Sequence, residues 1–417
     1  MFNWDRNIAF VACARFIARL GGEAAFFIGV WGMAAYRFHA SATQIALLMA
    51  VLALSSMVGA AAAGALVDRF GPRNIIMGAQ VFYLPVALLV PLVPSMQVMI
   101  GVCALFGFVN APIMTATGSF APYLVTERAG IEKINALLEG VGALSFVAGP
   151  AIGSVVAHAF GIPSVFYLDA VLTTVGLLLV LPVKTPPLVN REHKHALREI
   201  ADGLKMAYSL KAVRYYVLMG TVVWFSFGAF SALEPLFYRD VVKTGVETIG
   251  WMNSLFGAGI ALGAFLLTKL PSKATSARGL AIGVALLGLG ATVYIGTTDL
   301  RIIALGAFAW GTVIGAVEPM LRTLMQLDAP EEYVGRIIGT AQLHRSAGEL
   351  VPLALAPGLA ALFGVQGVMI GGGVLAAIAA LASFGHAASI DRSGHRPRGR
   401  VTAEELPPYD EPLSPLT

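Results

Sequence analysis

Long runs free of charge alternate with short charged turns along most of this chain. Residues 38–63, 26 in all, hold no Asp, Glu, Lys or Arg, and neither do the 53 residues 74–126. A helix needs about 20 apolar residues to cross the hydrocarbon of a bilayer, so the pattern predicts spans joined by tight turns. They fall at 8–36, 43–66, 74–93, 97–122, 132–159 and 163–183, then at 213–238, 247–269, 278–296, 301–325, 335–362 and 366–388. Between the two sets, Lys184 to Arg214 carries seven Lys/Arg, three acidic residues and two His. That stretch reads as a linker containing an amphipathic helix from Ala196 to Tyr208. The predicted fold is an all-α membrane protein of twelve transmembrane helices in two pseudo-symmetric six-helix halves, 1–183 and 213–388. A cytoplasmic linker, 184–212, joins them, and a disordered cytoplasmic tail, 389–417, rich in Pro, Arg and Glu, follows.

Composition supports the membrane assignment. The chain is 57% hydrophobic and 12% charged, with mean hydropathy +0.77, where soluble domains are about 25% charged. Net charge is only +4 and is spread over the loops, which gives no reason to expect nucleic acid as a partner. With both termini and the linker inside, the inner segments hold 21 Lys/Arg and the outer loops four, Arg37, Arg239, Lys243 and Arg301; this bias sets the orientation. The first apolar segment is long and carries internal charges, so it reads as a retained helix rather than a cleaved signal. Cys13 and Cys103 lie in apolar runs and read as free buried thiols. No phosphate loop, metal-ligand cluster or nucleophile–base–acid arrangement is visible, so neither an enzyme nor a metal protein is expected.

The halves echo each other. Tyr36-Arg37 matches Tyr238-Arg239, Gly59 matches Gly263, Pro112 matches Pro319, and Phe160-Gly161 matches Phe363-Gly364, all at offsets of 202 to 207. Such a repeat puts a substrate path between the halves near the midplane.

Each ionisable group inside a span costs about 2.5–3.5 kcal/mol at the helix centre and needs a reason to be there. In the first span Arg15, Arg19 and Glu23 are spaced by four and share a face. Two readings stand: Glu23 takes up and releases protons under the influence of Arg19, or the two form a structural ion pair. His344, Arg345 and Glu349 sit in the eleventh span, where Arg345 can hold Glu349 ionised and His344 can be a titrating or a packing group. Glu318 and Arg322 suggest a gate or salt bridge in the tenth span. Glu234 reads as interfacial at the outer end of the seventh, Asp169 as packing or capping on the sixth, and Glu139 is open. Phe27, Trp224, Phe227 and Trp310, with Phe26, Phe230 and Phe256, can form an apolar pocket.

Two motifs carry a family resemblance. Residues 64–73, Gly-Ala-Leu-Val-Asp-Arg-Phe-Gly-Pro-Arg, resemble the loop between helices 2 and 3 of the major facilitator superfamily; Gly64, Leu66, Asp68, Arg69, Gly71 and Arg73 match, and Pro72 replaces a basic residue. Gly149, Pro150 and Gly153 resemble the helix-5 signature of proton-driven exporters in that superfamily, with Ser154 in place of its last glycine. The resemblance implies alternating access, a cavity lined by the first helix, and a conformational role for Asp68, Arg69 and Arg73. It also implies export of a drug-like or amphipathic small molecule in exchange for protons, with a proton-coupled importer of a small metabolite as the alternative. Asn110 stands mid-span in helix 4 where many drug–proton antiporters have arginine. A monomer in the cell membrane is expected, its partners being substrate, protons and lipid, with no cofactor beyond the proton gradient. Asp68→Asn is expected to leave the protein inserted and to lower turnover sharply; normal transport by a well-expressed variant would remove the conformational role.

Overall fold

The computed structural model describes residues 6–125, 128–183, 196–330 and 333–393. Helix α1, Arg6–Ala24, runs on through two π-helical turns, Ala25–Val30 and Met33–Arg37. Then come α2 (Ala42–Phe70), α3 (Pro72–Leu89), α4 (Met96–Gly118), the single turn α5 (Ala121–Leu124), α6 (Arg128–Phe160) and α7 (Ser164–Val180). After the linker follow α8 (Ala196–Ser209), α9 (Lys211–Leu236, extended by a π turn at Phe237–Val242), α10 (Val246–Leu267), α11 (Ala277–Ile295), α12 (Leu300–Asp328), α13 (Val334–Ala382) and α14 (Phe384–Ser393). The described residues contain no strand, and nine of their helices are long and apolar enough to cross a membrane.

Local chemistry sets the ends. Ser41 and Gln44 form a reciprocal capping box at α2, and Ser95, Ser276 and Asp299 cap α4, α11 and α12, each satisfying an orphan backbone N–H. Gly71, at φ 78°, turns the chain from α2 into α3, and Pro72 occupies the first helical position, where its fixed φ fits and no N–H is missed. The departure from the family loop is therefore a good helix start. Gly364, at φ 74°, breaks α13 between the two spans expected there.

The first bundle packs α1 on α6 and α7, α2 on α4, and α3 on α4 and α7; the second packs α9 on α13, and α10 and α11 on α12. Positions matched in sequence do the same work in both. A Cβ on Gly59 would press into Phe108 O of α4, and one on Gly263 into Thr312 O of α12. Pro112 and Pro319 lie inside α4 and α12. Gly161 and Gly364 both take positive φ, and both Tyr-Arg pairs sit in π turns. Large side chains such as Phe82 (69%) and Leu305 (70%) are exposed on the outside, as a lipid-facing surface allows.

Two expectations are corrected. Cys13 is exposed, and only Cys103 is buried. Residues 389–393, expected in the tail, are helical, because α14 runs to Ser393: its Asp391 accepts bonds from the backbone N–H groups of Ala277 (2.8 Å) and Arg278 (3.2 Å) and pairs with Arg278 Nε (2.7 Å), capping α11. Residues 394–417, like 184–195, lie outside the described residues. Within the linker, α8 is helical as expected and lies on α13, where Gly203 permits close approach to Arg336 O and Asp202 pairs with Arg336 at 3.8 Å.

The bundles are bonded to each other at one end. Arg239 Nη1 donates to Ala35 O (2.8 Å) and Ala40 O (3.0 Å), Ser154 Oγ donates to Glu247 O (3.0 Å), and His158 approaches Glu247 at 3.8 Å. This end is opposite the Arg69–Arg73 turn and α8. At the same seam a Cβ on Gly250 would meet Ser154 Oγ, Pro150 O and, at 2.7 Å, Ile28 Cδ1. Gly250→Val is expected to overpack the closed end by about 1–3 kcal/mol, shifting the closed-to-open ratio by about 5- to 150-fold. Labelling of an Ala40→Cys probe, 1% exposed in the wild type, with an impermeant maleimide in a cysteine-free background checks this; unchanged labelling would show that the seam absorbs the methyls.

Candidate functional site

The Arg15–Arg19–Glu23 stripe divides in the structure. Arg15 Nη2 reaches Glu139 Oε1 on α6 at 3.1 Å, which gives Glu139 its role. Arg19 Nε donates to Glu23 Oε1 at 3.0 Å, the pairing that the spacing of four suggests. Arg19 and Glu23 stand in the wall of a cavity of about 180 Å³, with Gln80 and Tyr83 of α3 and Asn110 of α4 across from them. A volume of about 15 Å³ already holds one water, so this space takes several waters or part of a small molecule. The helix-5 motif seats this wall. Gly149 lets α6 close on α1, since a Cβ there would come within 2.8 Å of Glu23 Cβ and Leu20 O, and Gly153 does so against Ala24 and Ile28. Pro150 leaves α6 helical; its carbonyl accepts from Ser154 Oγ at 2.9 Å. The hydroxyl that replaces the expected glycine thus supplies one of the bonds joining the bundles.

One hydrogen bond behind the cavity lies Asp169, fully buried. Tyr83 OH donates to its Oδ2 at 2.7 Å, and Thr173 Oγ1 to its Oδ1 at 3.4 Å. Asp169 therefore packs inside the bundle and caps nothing.

In the second bundle Trp224, Phe227 and Trp310 come together as expected. Phe227 stacks on Trp310 at 4.6 Å, and Phe230 and Phe256 lie 4.7 and 4.9 Å from Trp310. Phe27 joins this cluster only through Phe146 (5.5 Å), which faces Phe256 across the seam at 6.4 Å. Asn110 belongs to the other cavity. Trp310 Nε1 is buried with no hydrogen-bond partner among the described residues.

The eleventh-span groups pair differently from their spacing. Arg345 lies 3.4 Å over the face of Trp224 and 4.0 Å from Glu318, while Trp224 Nε1 donates to Glu318 Oε1 at 2.7 Å. An aromatic face plus a carboxylate draws the guanidinium away from Glu349 and takes Glu318 from Arg322. Glu349 accepts from Ser231 Oγ at 3.4 Å. His344 Nε2 bonds Tyr208 OH of α8 at 2.8 Å and Nδ1 bonds Thr340 O at 2.9 Å, which ties α13 to the linker helix. Glu234 is not interfacial: it is 6% exposed and accepts from Tyr294 OH (2.8 Å) and Asn253 Nδ2 (3.3 Å). Sequence spacing missed this acid; Asn253 and Tyr294 inside apolar runs were the available signal.

In the 64–73 loop, Arg73 Nη2 donates to Leu181 O at 2.5 Å, satisfying a carbonyl at the end of α7. Arg69 lies 5.1 Å over Phe70. The side chains of Gly64's neighbour Ala65 and of Asp68 lie outside the described residues, so the contacts expected of Asp68 do too.

Residues 11–352 match the Major Facilitator Superfamily, and the chain belongs to that family of membrane transporters. It is 28% identical over 349 residues to the multidrug efflux pump Tap of Mycobacterium tuberculosis, spanning 78% of this chain and 80% of Tap. It is 24% identical over 385 residues to the multidrug resistance protein MdtG of Enterobacter lignolyticus, with 88% and 89% covered. It is 26% identical over 337 residues to the enterobactin exporter EntS of Shigella boydii, with 77% and 78% covered. Among solved structures, the nucleoside transporter NupG aligns with a TM-score of 0.77 at 12% identity over 91% of this chain and all of that one; this likeness shows the fold. The protein is a multi-pass membrane transporter.

Proposed function

We propose that this transporter exports a drug-like or other small amphipathic molecule in exchange for protons, by alternating access. The observation that carries the reading is Glu23, an acid paired with Arg19 in the wall of the 180 Å³ cavity. Relatives named as multidrug and enterobactin exporters support the direction. Twelve crossings are supported by the nine long apolar helices, by Arg6–Arg37 and Ser164–Val180, and by the break at Gly364 that divides α13. With the Lys/Arg-rich loops inside, the bonded end is the outer one and the conformation faces inward.

In this state Glu23 is held by Arg19 and is within reach of a substrate entering from the cytoplasm. A polar or cationic group on the substrate competes with Arg19 for the carboxylate, and a proton on Glu23 competes with both. Substrate arrival therefore expels the proton, and proton arrival from outside releases the substrate. The aromatic cluster around Trp310 supplies the apolar surface. Arg69 and Arg73 act on the conformational change and not on the substrate.

Everted vesicles with an imposed proton gradient are expected to accumulate ethidium. Glu23→Gln is expected to bind ethidium when purified, to release no proton on binding, and to lower accumulation by tenfold or more, about 1.4 kcal/mol or more in the barrier. Wild-type proton release from that variant would move the coupling role, with Glu349 next in line.

A further inference from the structure

We propose that Glu234 is a second proton-binding site, and that it exchanges its proton with the outer solution through the hydroxyls of Tyr294 and Tyr238. The site stands on its own geometry; its use in transport rests on the proton-driven reading above.

Glu234 lies in the last turn of α9, and both of its described donors are neutral. Asn253 Nδ2 also donates to Ile249 O at 3.0 Å, which fixes the amide with its nitrogen toward the acid. Tyr294 OH points its one hydrogen at Glu234 Oε1. The 2.6 Å contact between Tyr238 OH and Tyr294 OH must then run from Tyr238 to Tyr294. The hydroxyls form a directed line, Tyr238 to Tyr294 to Glu234.

No described cation bonds this carboxyl. Arg239 is spent on Asp240, at 2.6 and 2.8 Å, and on Ala35 O and Ala40 O. Glu247 of α10 pairs with His158. On α12 and α13, Glu318 and Arg345 hold each other around Trp224, and Glu349 is bonded to Ser231. Lys243 is exposed beyond the π turn. Tyr36 of the first helix and Tyr294 of α11 complete the titratable groups facing the cluster. Glu23 has Arg19 to balance its charge, whereas Glu234 has no such partner, and a bound proton is what neutralises a buried acid without one.

The line leads to the closed end. Tyr238 adjoins Arg239, whose guanidinium bonds the bundles together, and Tyr36 OH beside it is buried with no hydrogen-bond partner among the described residues. Opening that end pulls Arg239 from Ala35 and Ala40 and lets water reach Tyr238. A hydronium then gives its proton to Tyr238 O, the Tyr238 hydrogen passes to Tyr294 O, and the Tyr294 hydrogen passes to Glu234. The products are one water, two neutral tyrosines and one carboxylic acid. Trp310, stacked 5.5 Å from Tyr294, places the aromatic cluster against this relay.

Infrared difference spectroscopy on the full chain in lipid, between acid and alkaline buffer, reads the site without substrate. One component of the carboxylic C=O bands is expected to be present in the wild type and in Glu23→Gln, lost in Glu234→Gln while the bands of the other acids remain, and restored at a shifted frequency in Glu234→Asp. Tyr238→Phe is expected to keep the band but slow its appearance after a pH jump by tenfold or more. Identical spectra for wild type and Glu234→Gln, with the variant melting normally, would overturn the site. An unchanged rate in Tyr238→Phe would overturn the route. Because no transport is measured, failure of the ethidium experiment leaves this result decisive.

Discussion

Inside a bilayer every charge and every backbone polar group must find its partner within the protein, and most of the arrangement follows from that. The backbone meets the demand by being helical nearly throughout. The charges meet it in three ways. Arg19 and Glu23 pair along one helix, Arg15 and Glu139 pair between helices, and Arg345 divides itself between a carboxylate and the face of an indole. Asp169 and Glu234 use none of these and rely on neutral hydroxyl and amide donors. That contrast separates acids whose charge a neighbouring guanidinium balances from acids whose described donors are all neutral.

Close packing between spans cannot rest on the hydrophobic effect, because lipid is as apolar as leucine. Glycine takes over. Gly149 and Gly153 bring α6 against α1, Gly250 brings α10 against α6, and Gly259 and Gly263 bring α10 against α12. The outcome is two internally tight bundles and a seam crossed by three backbone-directed bonds and by the approach of His158 to Glu247.

Much of this was legible in the sequence. Uncharged runs gave helices, Gly71-Pro72 gave a turn, the amphipathic stretch gave α8, and a spacing of four gave Arg19–Glu23. The same spacing failed for Arg345 and Glu349, because Trp224 and Glu318 approach from other helices and offer more. Glu234 finds its tyrosine 60 residues away and Asp169 finds its own 86 away, separations on which local periodicity is silent. Trp224, Phe227 and Trp310 touch because they share one bundle, whereas the seam separates Phe27 from them.

The π turns carrying Tyr36-Arg37 and Tyr238-Arg239 have a historical reading. A π turn holds one residue more than an α turn, and it forms when a residue is inserted without displacing the faces on either side. Both bundles carry that extra residue at the end of their first helix. Two separate insertions at the same place would be a coincidence; one insertion in an ancestral six-helix unit, copied when the gene duplicated, accounts for both. Arg239, which bonds the bundles at Ala35 and Ala40, and Arg37, which bonds Pro91 O at 2.9 Å, would then be descendants of one residue, Arg37 kept as a tie within its own half and Arg239 turned outward to its sister.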